Sequence, residues 1–200
     1  MISKLAGLAA IFAVGVMSAM PAHAQKQYKD LTQAELDELY CVYDGAGKED
    51  DDYYAIGGTF LDNITNADGL NKVADMIGPF TKACTEKYGW DQDRAQLGTM
   101  MGVVGIASDV LGEDLLDEGL TDAQIDGILA AAELLTDDDI DALYDGTYQQ
   151  NQTVKDHAIA RLKEKNVPVT DDDVGDLLLY MELNVVGLYT SQDWLDHVFK

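Results

Sequence analysis

The chain has 200 residues, with 37 Asp and Glu against 13 Lys and Arg, for a formal net charge of −24. A surface this acidic repels polyanions and lacks the basic patch that nucleic acid or an anionic membrane surface requires. Hydrophobic residues nevertheless make up 47% of the chain, enough to build a core, so the charge does not imply disorder.

Residues 1–24 carry Lys4, an apolar run over 5–17 and then Pro21-Ala22-His23-Ala24. This is the order of a secretory signal peptide ending in an A-x-A cleavage pattern, so the mature chain is predicted to span 25–200 and to reside in the periplasm or outside the cell. Loss of Lys4 leaves 12 Lys and Arg against 37 Asp and Glu, a formal charge of −25. No cysteine stands at the cleavage site to accept a lipid. No later apolar run reaches the roughly 20 residues of a membrane span; only fourteen residues separate Arg94 from Asp109.

Four Thr residues, Thr32, Thr121, Thr136 and Thr170, are each flanked by apolar residues and followed three positions later by Glu35, Gln124, Asp139 and Asp173. That is the pattern of a capping box with a hydrophobic staple, and it predicts four helix starts. The irregular spacing between copies fits no solenoid repeat. The first helix is expected over 33–43, burying Leu36, Leu39, Tyr40 and Tyr43. A second begins in the acidic run Glu49, Asp50, Asp51 and Asp52, where the helix dipole favours carboxylates in the first turn. A third covers 67–88, and Pro79 is expected to kink or divide it near Gly78.

The most continuously apolar stretch, 97–111, is expected to be the helix around which the rest packs. Gly98, Gly102 and Gly105 fall at i, i+4 and i+7 and share one side. Each glycine costs roughly 1 kcal/mol relative to Ala in a helix, so a closely approaching neighbour is implied. The small residues Ala130, Ala131 and Ala132 are the expected partner. That helix is expected to extend to about Leu116 with a break near Gly112, followed by helices with Ile125, Ile128 and Leu129 on one stripe, then over 137–144. Residues 148–152 read as a linker, and helices lined by Val154, Ala158 and Leu162 and by Leu177 to Leu188 complete an all-α bundle of about seven to nine helices.

Cys41 and Cys84 are the only cysteines, and in an oxidising compartment an isolated pair is most simply one disulfide. The mature serines, Ser108 and Ser191, lie outside any nucleophile elbow, and His157 and His197 lack a third partner at zinc-ligand spacing. EF-hand positions fail around Gly69, Gly119 and Gly146. The carboxylates Glu49, Asp50, Asp51 and Asp52 remain the candidate cation site, with calcium the cofactor they suit. Glu182 stands opposite a polar stripe formed by Asp173, Asp176, Tyr180, Asn184, Gly187 and Ser191. Two readings follow: an exposed line with Asp171 and Gly175, which is preferred, or a buried carboxyl that needs a raised pKa or a cation such as Arg94 or Arg161.

No nucleophile, zinc or cofactor motif is complete. The leading expectation is an exported, noncatalytic helical binding protein with a cationic partner, a basic protein or a cation, because strong negative charge accelerates such encounters. A calcium-binding protein is the alternative. A carboxylate-based cell-wall glycosidase ranks third, since it needs two positioned carboxyls in a cleft.

Overall fold

A computed structural model describes residues 30–47 and 50–199, with the backbone alone at 50 and 51. The predicted signal segment therefore lies outside the described residues. Within them the fold is all-α, with nine α-helices, one 3-10 helix and no strand. The helices are α1 (Gln33–Leu39), α2 (Cys41–Ala46), α3 (Asp50–Asn63), α4 (Ala67–Tyr88) and α5 (Gln92–Asp117), then α6 (Asp122–Ala132), α7 (Asp137–Tyr144), α8 (Gln152–Glu164) and α9 (Val174–Val198).

The helix starts follow the capping chemistry. Thr32 and Thr136 form complete capping boxes with Glu35 and Asp139. At Thr121 the backbone N–H donates to Gln124 Oε1 at 2.8 Å. Thr170 makes the same kind of turn with Asp173, but the α-helix begins only at Val174. The expected first helix is two helices, because Tyr40 leaves helical geometry (φ −93°, ψ 8°) between Leu39 and Cys41. Pro79 does not divide α4. Pro79 and Asp75, the residue whose carbonyl loses its helical donor, both face solvent, where water can satisfy that carbonyl.

α5 is the centre, as the apolar run predicts, and it presents a different side to each of three cores. Val103, Ile106 and Val110 meet Val42, Ala46, Ile56, Val73 and Ile77 of α2, α3 and α4. Val104, Ala107, Leu111 and Leu115 meet the larger core of α6 to α9. Met101 meets Leu39 and Trp194, from α1 and α9. The helix reaches the expected end near Leu116, and by length and composition alone it could cross a membrane; most of its apolar residues are instead covered by the protein's own cores.

α9 lies antiparallel on α5. His197 Nε2 sits 3.0 Å from Asp91 Oδ2 at one end, Asn184 Nδ2 donates to Ser108 Oγ at 2.9 Å in the middle, and the Tyr180 ring covers Gly112 at the other. Gly112 therefore marks a close helix crossing, not a break. The glycine stripe also has a different partner from the expected alanines. A Cβ at Gly98 would lie 2.7 Å from the Trp90 ring, at Gly102 2.6 Å from Val42 Cγ1, and at Gly105 2.9 Å from the Tyr43 ring. The groove thus receives Trp90 and α2, whereas Ala131 is buried in the core on the other side.

Candidate functional site

The two cysteines are bonded, with Cα atoms 5.9 Å apart, and tie the start of α2 to α4. Glu49 lies outside the described residues, Asp50 and Asp51 contribute backbone to the first turn of α3, and Asp52 is exposed. Among the described residues no group of three or more His, Cys, Asp or Glu is arranged to hold a metal ion.

Glu182 is buried, at 9% exposure, so the preferred exposed line fails although Asp171 and Gly175 are exposed. The assumed polar stripe is the reason. Tyr180 and Ser191 are buried and Asn184 bonds to α5, so that part of the stripe packs inward; α9 also packs on α6 and α7, and the 3-10 turn Thr147–Gln150 reaches Glu182. The stretch that read as a linker therefore supplies Tyr148, whose hydroxyl donates to Glu182 Oε2 at 2.8 Å. Burial pushes the Glu182 carboxyl up, partly countered by the Tyr148 bond. Neither proposed cation attends it: Arg94 lies 3.6 Å from Glu38, and Arg161 pairs with Glu164. Glu182 thus meets a phenol, the Tyr148 hydroxyl.

Both histidines serve helix starts. His157 Nδ1 lies 3.0 Å from Asp139, the carboxylate that closes the α7 capping box; His197 reaches Asp91, the N-cap of α5. Burial raises the Asp139 carboxyl, but bonds from Thr136 and His157 outweigh it and hold the group low.

A further feature is an open cleft of about 450 Å³ between the ends of α3 and α5 and the start of α9. Leu61, Leu111 and Leu179 line it together with Asp62, Asp114, Asp117, Glu118 and Asp176, and none of the residues lining it is basic. Asp62 lies in the last turn of α3; Asp114 and Asp117 lie in the last turn of α5, with Glu118 its C-cap. A helix C-terminus carries partial negative charge and favours cations, yet neither helix has a basic residue in its last turn. Carboxylates there oppose the local dipole, so the sequence concentrates negative potential where helix stability alone disfavours it. Comparison with known proteins finds no matching family model, curated sequence or solved structure. The site chemistry is therefore the ground for a functional reading.

Sequence reasoning missed this cleft by treating acidic runs as first-turn charges. The usable signal was Asp114, Asp117 and Glu118 just before Gly119, since glycine shortly after a helical pattern marks its end and makes these last-turn carboxylates. Gly119 does take the left-handed conformation, φ 112°.

Proposed function

We propose that this chain is an exported, noncatalytic helical binding protein, and that the cleft takes a basic, amphipathic segment of a protein partner. The observation that carries this reading is the pairing of a leucine floor with five carboxylates and no basic lining residue. Lys or Arg head groups suit the rim, and their aliphatic stems or neighbouring apolar residues suit the leucines. Export is supported by the signal-peptide pattern of residues 1–24 and by the Cys41–Cys84 disulfide, which belongs in an oxidising compartment. Net charge adds long-range attraction toward a basic partner, strongest at low salt.

The test is binding of a synthetic peptide of alternating Lys and Leu, measured by calorimetry at two salt concentrations. Asp114→Asn/Asp117→Asn/Asp176→Asn is compared with a triple neutralised at Asp75, Asp122 and Asp138, which are exposed and do not line the cleft. The cleft triple is expected to weaken binding by at least about tenfold more than the control, equivalent to about 1.4 kcal/mol. Equal losses in the two triples would reduce the interaction to net charge and remove the cleft from the reading.

A further inference from the structure

Asp109 continues the small-residue stripe of α5, one helical turn beyond Gly105. Because Gly105 has no side chain, the Tyr43 ring lies against the helix backbone there and its hydroxyl reaches Asp109. Tyr53 of α3 donates to the same carboxylate oxygen, Oδ2, and the two phenol oxygens are 3.4 Å apart. The other oxygen, Oδ1, is buried and has no hydrogen-bond partner. One carboxyl therefore ties α2 and α3 to α5 through two donors on one atom, while its second oxygen is buried with no protein donor among the described residues.

We propose that Asp109, Tyr43 and Tyr53 form a proton-operated latch, which holds the corner between α2 and α3 onto α5 while Asp109 is protonated and loosens as it ionises. With the proton on Oδ1, Oδ2 remains a carbonyl-type acceptor with two lone pairs, matching the two phenols that converge on it. The disulfide supplies a fixed pivot, since Cys41 at the start of α2 is bonded to α4. Loosening is thus directed to the far end of α2 and the facing part of α3.

The surroundings contain no compensating cation. From α2 come Tyr43 and Asp44, which acts on the Tyr43 phenol; from α3 come Tyr53 and Tyr54, the latter bonded to Glu113; α5 itself supplies Glu113. From α9 comes Tyr180, whose phenol burial, and next the Asp109 charge, push up to about 12. Among the described residues no group of α4 or α6 and no Lys, Arg or His acts on Asp109. Burial raises its carboxyl above the ordinary range, against the lowering bonds from Tyr43 and Tyr53, and repulsion from Glu113 raises it further. Burial raises both bonded phenols too, so they stay protonated and act only as donors.

The sign follows from linkage. A carboxyl whose pKa is higher in the closed form than in the open one stabilises closure fully below the open-form value, and this stabilisation is lost as pH rises through the closed-form value. Between those values the opening constant should rise about tenfold per pH unit, then level off. The measurement is amide hydrogen exchange by NMR on the mature chain, at residues 43–46 and 53–57, corrected for intrinsic pH dependence. Wild type is expected to show the rise. Asp109→Asn, which keeps an oxygen acceptor without a titrating charge, is expected to be flat. The same slope in both proteins, or a flat wild type, overturns the latch. If the Asn variant does not fold, the carboxyl carbon of wild-type Asp109 decides: a midpoint above the ordinary aspartate value of about 3.9 supports the latch, and one at or below it refutes it.

Discussion

Gly102→Ala and Gly58→Ala make the same chemical change in two helix interiors, and the structure predicts opposite signs. At Gly58, inside α3, a Cβ meets nothing within 4 Å, so the substitution removes glycine's helix penalty and should stabilise by about 0.5–1 kcal/mol. At Gly102 the same gain competes with a contact of 2.6 Å to Val42 Cγ1 and 3.1 Å to Val42 Cβ. Val42 is buried and β-branched, so it has little rotamer freedom with which to yield. Retreat of α2 as a unit is resisted by the bond from Cys41 to Cys84. Overpacking of this kind costs about 1–3 kcal/mol, leaving a net loss of up to about 2.5 kcal/mol after the propensity gain. For a chain of this size each kcal/mol moves Tm by about 2–4 °C. Thermal unfolding followed by circular dichroism should therefore show Gly102→Ala below wild type and Gly58→Ala above it. Reduction of the disulfide should shrink the Gly102→Ala penalty by letting α2 shift. A Gly102→Ala protein as stable as Gly58→Ala would refute the close approach of α2 to the centre of α5.

Removing the disulfide itself, in Cys41→Ser/Cys84→Ser, should cost about 4 kcal/mol on the chain-entropy argument for a loop of 43 residues, measured by urea unfolding without reductant. Glu182→Gln should flatten the pH dependence of stability: burial raises the wild-type carboxyl, so its contribution is full at low pH and lost as pH rises through the folded-state value. Unfolding at pH 5 and pH 8 checks this, and an unchanged slope in the variant counts against a titrating buried Glu182. Asp139 behaves oppositely, because its carboxyl is held low; Asp139→Ala should cost about 1 kcal/mol near neutrality through the lost cap, with the difference from wild type vanishing as pH falls through the folded-state value.

The pattern of the chain made local events legible and left pairings obscure. Thr32, Thr121 and Thr136 announce helices because capping involves residues only three apart. The run around Val103 to Leu111 announces a buried centre because apolar residues occur on all its sides. Which element fills a glycine groove depends on distant geometry, and Ala130 to Ala132 were as small as the groove required while Val42 and Tyr43 were the true occupants. Glu182 was misread for a related reason. Hydrogen bonding allows a helix's polar side to face the protein, as Asn184 does toward Ser108, and a stretch as polar as 148–152 can still bury one tyrosine over the opposite side. The acidic cleft combines both difficulties: its carboxylates come from three helices, and only the last-turn position of Asp114, Asp117 and Glu118 was visible along the chain.

Trp194 has no exposed surface, and it is enclosed by Leu39 from α1, Met101 from α5 and Leu195 beside it in α9. This small core joins the first described helix to the last across 155 positions separating Leu39 from Trp194. During vectorial synthesis, α1 and α5 emerge before the indole that seals them. Their shared surface must stay open until α9 arrives, and the antiparallel seat of α9 on α5 has the same requirement. Completion of the native state is therefore tied to release of the whole helical sequence. Contacts of such long sequence separation also slow the final step relative to local helix formation.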